Sequence, residues 1–420
     1  MTLRWRELSL LFWPMALFAL GAATLALIRR GDLAQRDFLL AVAFVGLLLA
    51  LHAWLTWRHR GADQVLLPVA AMLVAVGLTI VARLQPAVAT RHFIWLVIGL
   101  IAMVVAAEFV RQPSRLRRYK YTWATIGLAI TMTTLVFGID PNGSGARLWL
   151  GAAGFYFQPS EIMKVLLVIF FAAYLEEKHE LLASAVYRLG PLRLPPLPYL
   201  APLLLMWGIT IALLAIQRDM GAALLFYGVF LSLLYVASSR LLYLWGGLIA
   251  FVLPAYAGYL WLPYIQGRVE TWLNPWADPE GRSYQILQAL AALGSGGVAG
   301  TGLGFGQPTL IPAAHTDFPL AAIGEELGLV GTLALVMLYL VLIFRGYQIA
   351  VWARDGFQQL LATGLTTVLA LQALIIMSGS LKLIPLTGIT LPFVSYGGSS
   401  LLANCIIVGL LLAVSERRTT

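Results

Sequence analysis

Long apolar stretches follow one another along almost the whole chain, with short polar connections between them. A hydrocarbon core about 30 Å thick takes roughly 20 apolar residues per helix, and about twelve stretches approach that length. The pattern therefore predicts an all-α integral membrane protein, a polytopic bundle of about 12 transmembrane helices. The predicted helices are 9–28, 38–57, 65–84, 92–110, 121–139, 161–175, 199–216, 220–237, 241–259, 319–344, 356–377 and 398–414.

Four connections hold most of the unusual polar residues. They lie on the outer side of the membrane if the N-terminus is cytoplasmic. Backbone without helical hydrogen bonds cannot face lipid, so these segments must lie in water or line a cavity in the protein. We therefore predict a cavity that opens to the outside, in a bundle with a large extracellular loop, 260–318. The four connections are 140–160, 217–219, 260–318 and 378–397.

The charge distribution supports a membrane topology and no nucleic-acid partner. The net charge is +9, but charged residues make up only 11% of the chain. The basic residues are spread over short connections, mostly on one side, which is the positive-inside pattern. Both termini are then predicted to be cytoplasmic. Arg29, Arg30 and Arg36 are exceptions, because this topology places them outside.

Two connections carry charged residues at suggestive positions. In 157-FQPSEIMK-164, proline and serine predict a helix start, and Glu161 and Lys164 share a helix face because they are three residues apart. The pair is either an ion pair at a helix end or part of a polar site. Arg218 and Asp219, in a tight turn, are likewise either solvated or part of that site.

The long loop contains a candidate general base. Asp278 lies in 272-WLNPWADPEGRSYQ-285, beside aromatic residues typical of a membrane interface. A carboxylate there can take a proton from a substrate hydroxyl, although a solvated turn residue would have the same sequence. His315 and Asp317 follow later in the loop. Two such residues without further histidines nearby do not define a metal site.

Glu325 and Glu326 enter a long apolar stretch directly after this loop. Adjacent residues do not share a helix face, so at least one should point into the bundle, which favours a functional role. The preceding glycine-rich segment 294–306 permits unusual backbone conformations. It lacks the GxxxxGK[ST] pattern, so a nucleotide site is not predicted.

The segment 384–400 interrupts the apolar pattern with glycine and proline and predicts a loop or re-entrant segment. Ser395 in this segment and His315 could suggest a serine hydrolase. No GxSxG motif is present, and a catalytic triad is not predicted.

Taken in order, these segments closely resemble the RodA/FtsW (SEDS: shape, elongation, division and sporulation) family. The resemblance runs from about residue 65 to the end. The family core has ten transmembrane helices, so the resemblance implies two additional N-terminal helices in 1–64 and a SEDS-like core in 65–420. The matching segments are GARLWLG at 145–151, FQPSEIMK at 157–164, QRDMG at 217–221, NPWADPEGRSYQ at 274–285, GSGGVAGTGLGFG at 294–306, HTDFPLAAIGEELGLVG at 315–331 and IPLTGITLPFVSYGGSS at 384–400.

The resemblance implies a peptidoglycan glycosyltransferase that polymerises lipid II at the outer face of the cytoplasmic membrane with a class B penicillin-binding protein. The family's essential acid corresponds to Asp278, the predicted catalytic residue. The cofactor is left open; a divalent cation such as magnesium or manganese could assist the leaving group, and no metal ligands are predicted. The predicted substrate-binding residues are Arg147, Glu161, Lys164, Arg218, Asp219, His315, Asp317, Glu325 and Ser395.

Two other functions are open at this point. A flippase for lipid-linked precursors would also have polar residues and broken helices, although its polar groups should form a path across the membrane. Here the unusual residues cluster on one predicted side. A scaffold that only recruits the transpeptidase would tolerate replacement of Asp278.

Overall fold

The computed structural model describes residues 4–29, 32–109, 113–141, 143, 145–152, 154–183, 187–189, 192–194 and 197–416. Helices dominate these ranges. Their bounds are α1 Trp5–Ile28, α2 Asp32–Arg58, α3 Leu66–Leu84, α4 Pro86–Phe109, α5 Pro113–Arg118, α6 Lys120–Phe137, α7 Pro159–Ala183, α8 Leu197–Ile216, α9 Met220–Ser238, α10 Leu241–Trp261, α11 Pro263–Leu273, α12 Tyr284–Gly296, α13 Pro319–Val351, α14 Gly356–Ser380 and α15 Gly398–Ser415.

Every predicted apolar stretch overlaps one of these helices, which confirms the all-α membrane fold; the last residue of the predicted 92–110 lies outside the described ranges. Within the described ranges, nine helices are long and apolar enough to cross a membrane. The other three predicted spans fall on α6, α7 and α8. The first two carry more polar residues, and the apolar part of α8 that qualifies is short, Leu200–Ile216. The total of twelve transmembrane helices therefore stays a prediction.

The chain divides into two compact units. The first comprises residues 1–107, 262–345 and 372–420, and the second comprises 108–261 and 346–371. The predicted boundary between an N-terminal addition and a core at residue 64 follows a different criterion, the family resemblance, and stays a prediction.

In the first unit, α1 packs against both α2 and α3. The Phe18 and Phe44 rings meet edge to face with their centroids 5.2 Å apart. Leu25 is buried together with Ala82 and Ala89, on either side of the turn from α3 to α4. Apolar contacts thus hold the first helix against the second near its middle and against the third near its end.

A break in α13 is the main irregularity of the first unit. Gly328 has φ 66° and ψ −165°, a conformation essentially restricted to glycine. The main-chain amides of Leu329 and Val330 donate to the carbonyls of Gly297 and Val298 at 3.0 and 3.2 Å. Carbonyl groups of the glycine-rich segment therefore accept hydrogen bonds from the amides that the break leaves without partners inside the helix.

Glycine is required in that segment because two backbones nearly touch. A Cβ on Gly300 would lie 2.3 Å from the Glu326 carbonyl oxygen, and one on Gly296 would lie 1.9 Å from the Gly324 carbonyl oxygen. No side chain fits at such distances. The glycines thus allow close packing of the loop on α13, and this structural role replaces the phosphate-binding one that glycine density can suggest.

In the second unit, aromatic residues hold α7, α8 and α9 together. The Phe171 and Phe230 ring centroids are 5.5 Å apart, and Trp207 stacks on Phe230 at 4.8 Å. Two short hairpins complete the described elements: Leu150–Ala152 (β1) pairs with Phe155–Phe157 (β2), and Tyr187–Leu189 (β3) pairs with Leu192–Leu194 (β4).

Candidate functional site

Asp278 lies in the first unit, in the turn between a 3₁₀ segment, Pro275–Ala277, and α12. Its side chain is exposed, and its Oδ2 accepts a hydrogen bond from the main-chain amide of Arg282 at 3.0 Å. A Cβ on Gly281 would lie 2.4 Å from both carboxylate oxygens. The absence of a side chain at Gly281 therefore lets the carboxylate fold over the turn with its face open to solvent.

Next to this turn is a groove of about 590 Å³. Three basic residues line it: Arg268 of α11, Arg282 of the turn and Lys382 after α14. Three cations converging on one groove favour an anionic ligand, because fixed positive charge and N–H donors bind phosphate oxygens well. Further lining residues are Pro263, Tyr264, Gly267, Thr271, Trp272, Gln285, Ile286, Asp317, Gly379, Ile384, Leu386 and Gly388.

Hydrogen bonds to main-chain carbonyls fix the groove's walls. Arg268 Nη1 donates to the Leu386 and Thr387 carbonyls at 3.2 and 3.1 Å. Trp272 Nε1 donates to the Lys382 carbonyl at 3.1 Å. These bonds tie α11 to the segment that follows α14, so the groove is a built feature between the long loop and that segment.

The sequence analysis missed Arg268 and Lys382. Neither lies in one of the motifs quoted for the family resemblance, and only their positions carried a signal. The predicted topology places both residues on the outer side, where the positive-inside rule expects few basic residues. An exception to that rule can mark a binding site.

Asp317 lines the same groove. Burial raises the pKa of its carboxyl to about 6, and this effect outweighs the opposing influence of the Thr316 hydrogen bond and the Arg268 charge. Asp317 and the three basic residues therefore line the same groove. Asp278 lies beside it, because its carboxylate accepts a hydrogen bond from the main-chain amide of Arg282, whose side chain lines the groove.

The segments that contain His315 and Ser395 are joined by hydrogen bonds to main-chain carbonyls. The Tyr396 amide donates to the His315 carbonyl at 2.8 Å, and Ser395 Oγ donates to the Thr316 carbonyl at 2.5 Å. The Ser395 hydroxyl also accepts from the Leu391 amide at 2.8 Å. Burial lowers the pKa of His315. Ser395 thus fastens two loops together, and the described contacts do not form a catalytic triad.

Both glutamates at the start of α13 are buried, as the sequence predicted for at least one of them. Glu325 Oε1 accepts from the Gln307 amide at 2.7 Å. Glu326 Oε1 accepts from Arg83 Nε at 3.0 Å. Glu325 therefore binds the residue that follows the glycine-rich loop, and Glu326 binds Arg83, which donates to two carbonyls of that loop. The predicted contact of Glu325 with substrate stays a prediction.

The other predicted residues lie in the second unit. Glu161 and Lys164, in the first turn and a half of α7, form an ion pair at 2.5 Å with side-chain exposures of 13% and 2%. An ammonium so deeply buried needs a partner, and the i,i+3 spacing provides one. The ion pair predicted from the spacing is present.

Asp219 caps α9 and links it to the start of α7. Its Oδ1 accepts from the Ala222 amide at 3.0 Å, and its Oδ2 accepts from Gln158 Nε2 at 3.1 Å. Gln217 Nε2 donates to the Thr134 hydroxyl of α6 at 2.6 Å. These bonds gather the ends of α6, α7, α8 and α9 at one end of the unit.

Arg147 and Arg218 both have exposed side chains at this same end. Arg218 adopts a left-handed backbone conformation with φ 62° in the turn before Asp219. Across both units, no three His, Cys, Asp or Glu side chains among the described residues lie close enough to hold a metal ion.

The fold and the site define a multi-pass α-helical membrane protein with a groove lined by three basic residues beside its longest loop. The chain belongs to the FtsW/RodA/SpoVE family of cell cycle proteins, whose profile matches residues 64–420. This result confirms the resemblance noted in the sequence.

Individual relatives are similar over most of the chain. Peptidoglycan glycosyltransferase RodA of Mycobacterium tuberculosis (strain ATCC 25618 / H37Rv) is 42% identical over 366 residues, which cover 84% of this chain and 78% of that protein. The probable peptidoglycan glycosyltransferase FtsW of Geobacter metallireducens is 34% identical over 369 residues, 84% of this chain and 95% of the relative.

Two solved structures have the same fold. A chain from a peptidoglycan synthase complex that coordinates polymerization and crosslinking is 28% identical, with a TM-score of 0.69, and the match covers 86% of this chain and 99% of that one. Thermus thermophilus rod shape determining protein RodA is 25% identical, with a TM-score of 0.62 and coverages of 86% and 98%.

Proposed function

We propose that this protein is a peptidoglycan glycosyltransferase that polymerises lipid II at the outer face of the cytoplasmic membrane, with both termini in the cytoplasm. Family membership supports the proposal, as do the names of the relatives, which are peptidoglycan glycosyltransferases of the RodA and FtsW types. The nine apolar helices among the described residues fit a substrate that is itself anchored in lipid.

One observation carries the proposal beyond the family name. The Arg282 amide binds the Asp278 carboxylate, and the Arg282 side chain lines the cationic groove. A general base thus stands beside a place suited to a diphosphate. Both are needed when a sugar is transferred from a diphosphate carrier to a sugar hydroxyl.

In the proposed reaction, Asp278 takes the proton of the acceptor sugar hydroxyl as that oxygen bonds to the anomeric carbon of the donor. The bond from the anomeric carbon to the diphosphate oxygen breaks, and its electron pair leaves with undecaprenyl diphosphate. Direct displacement inverts the anomeric centre, as it does when a carboxylate base serves an inverting glycosidase.

The cations of the groove stabilise the charge that develops on the leaving diphosphate. Arg268 is held by its bonds to the Leu386 and Thr387 carbonyls, so it needs little reorganisation as the bond breaks. Arg282 and Lys382 line the same groove. The family resemblance also assigns substrate contacts to residues of the second unit, and we retain that prediction for Arg147, Glu161, Lys164, Arg218 and Asp219.

We further propose that a class B penicillin-binding protein cross-links the strands made by this chain. The similarity to a chain of a complex that coordinates polymerization and crosslinking supports this partner. The partner is included in the experiment because a polymerase of this type can depend on it for activity.

The experiment compares polymerisation of labelled lipid II by the wild type, Asp278→Asn and Glu280→Gln, each purified with the class B partner at equal folded amounts. Glu280 is the matched control because it is an exposed carboxylate two residues away in the same turn. Loss of a general base costs about 10²–10⁴-fold in rate, so we expect polymer from the wild type and Glu280→Gln and almost none from Asp278→Asn.

Equal polymerisation by the wild type and Asp278→Asn would exclude Asp278 as the base. If the wild type makes no polymer but moves labelled lipid II across proteoliposome membranes, the chain is a flippase. If it does neither and still recruits the transpeptidase, it is a scaffold.

A further inference from the structure

Two arginines at the turn between α1 and α2 have no part in the proposed reaction. Arg29 Nη1 and Arg36 Nη2 both bind the Asp37 carboxylate, at 3.1 and 2.6 Å. Asp37 is 2% exposed, so the carboxylate is buried beneath the two guanidinium groups. Arg30, the third predicted exception to the positive-inside pattern, lies outside the described residues.

Arg29 also caps the carboxyl end of α3. Its Nη2 donates to the Ala82 carbonyl at 2.7 Å and to the Arg83 carbonyl at 3.2 Å. The last carbonyls of a helix have no partners within the helix, and a cation there also opposes the helix dipole. Arg36 Nη1 donates to the Pro86 carbonyl at 2.7 Å. Both arginines therefore bind main-chain carbonyls at the turn between α3 and α4.

The next contact leads from α3 to the glycine-rich loop. The Arg83 side chain donates to the carbonyls of Gly304 and Gly306 at 3.2 and 3.0 Å, and it pairs with Glu326 at 3.0 Å. The Ile28 side chain packs on Gly304, where a Cβ would lie 2.4 Å from Ile28 Cδ1. The end of α1 therefore reaches the loop both through Arg83 and directly.

We propose that α1 and α2 brace the glycine-rich loop of the long connection, with Arg29 as the positioning residue that fixes the end of α3 and thereby the Arg83 side chain. The loop follows α12, whose first turn adjoins Asp278 and Arg282. Its catalytic consequence rests on the proposed function, whereas the brace itself is a property of the fold. The two N-terminal helices thus position the glycine-rich loop in addition to crossing the membrane.

The alternative is that the first two helices are only packed beside the rest of the unit. In that case the loss of Arg29 would lower the stability of α1 and α3 as a whole and would have no local effect on the glycine-rich loop. The two possibilities differ in which backbone hydrogen bonds weaken when Arg29 is replaced. The informative amides are Thr301 and Gly302, which donate to the carbonyls of Glu325 and Glu326 at 2.9 Å.

The test is hydrogen–deuterium exchange of the full-length protein in detergent, followed in peptides that cover 300–307. The variants are Arg29→Ala, Arg29→Lys and the control Arg60→Ala, an exposed arginine at the other end of α2 whose side chain bonds only locally to Thr56 among the described contacts. A peptide covering 391–396 serves as an internal reference, because its bonds to 315 and 316 do not involve Arg83.

We expect exchange over 300–307 to become about tenfold faster in Arg29→Ala, since a charge-assisted hydrogen bond is lost, and to stay at the wild-type rate in Arg60→Ala. Arg29→Lys should be intermediate, because one ammonium cannot span two carbonyls and a carboxylate as a guanidinium does. Ile28→Ala provides a second, milder variant if Arg29→Ala does not fold, and it should loosen the same peptide.

Wild-type exchange over 300–307 in both Arg29→Ala and Ile28→Ala would overturn the brace. So would an equal increase over 391–396, which would indicate general destabilisation. Polymerisation kinetics on the same samples add a separate readout: a positioning role lowers the rate at saturating lipid II and leaves the half-saturating concentration unchanged. A wild type without polymerase activity would overturn the proposed function alone and leave the exchange result valid.

Discussion

The main-chain amide of Arg282 donates to the Asp278 carboxylate at 3.0 Å, while the guanidinium of the same residue lines the groove. One residue therefore orients the proposed base with its backbone and faces the proposed diphosphate site with its side chain. A substitution that changes only the side chain separates these two roles.

For Arg282→Gln we expect a fall of about 10²-fold in polymerisation at saturating lipid II, because a cation that lines the proposed diphosphate groove is lost while the amide that holds Asp278 remains. Lys382→Gln should act in the same direction. The measurement is initial-rate polymerisation, with Arg60→Gln as the control. Wild-type rates in both groove variants would show that the groove does not bind the diphosphate.

Gly328→Ala should lower the free energy of unfolding by about 2 kcal/mol or more. The residue has φ 66°, and a Cβ there would lie 2.3 Å from the Gly300 amide nitrogen. Thermal unfolding in detergent measures the effect. Gly294→Ala is the matched control, since this helical glycine has nothing within 4 Å of its Cβ position and alanine should be neutral or slightly stabilising. Equal melting temperatures for both variants would contradict the proposed close packing.

Lys164→Met should destabilise the protein by about 3 kcal/mol, because it leaves Glu161 without the cation that compensates its partial burial. The double variant Glu161→Gln/Lys164→Met should recover part of that loss, since neither charge then remains. A double-mutant cycle of unfolding free energies measures the coupling. Strictly additive single losses would mean that the pair contributes nothing as a pair.

The pH dependence of stability should contain a contribution from Asp317. Its pKa is about 6 in the folded protein and 3.8 ordinarily, so folding takes up a proton between these values. Stability therefore falls as the pH rises through this window, and the full penalty of about 3 kcal/mol is present above the folded pKa.

Asp317→Asn removes this dependence. The measurement compares thermal unfolding of the wild type and the variant at about pH 4 and about pH 7. The variant should gain stability relative to the wild type at the higher pH only, and Glu280→Gln should show no such gain. A constant difference at both pH values would contradict the assignment.

The sequence predicted the long helices well because membrane thickness sets both their length and their apolar character. It also predicted the Glu161–Lys164 pair, which depends on spacing within one helix. Its helix at 319–344 extends to Val351 and is broken at Gly328, and a single glycine in an apolar stretch does not distinguish a break from a helical glycine. The total number of spans and the catalytic role of Asp278 stay predictions.

Contacts between residues distant in the chain could not be predicted in this way. Arg83 reaches the glycine-rich loop from α3, and Arg268 reaches the main chain at 386–387 from α11. Helix periodicity and local motifs say nothing about such partners, since both depend on how helices pack. The groove and the brace were therefore visible only in the folded chain.

The interruption of α13 also bears on how the protein assembles. The amides of Leu329 and Val330 find their acceptors in Gly297 and Val298, which are synthesised shortly before them. A polar backbone entering the membrane without partners is unfavourable, so α13 can settle there only when the preceding loop is already in place. The loop and the helix should then insert, and later unfold, as one cooperative piece.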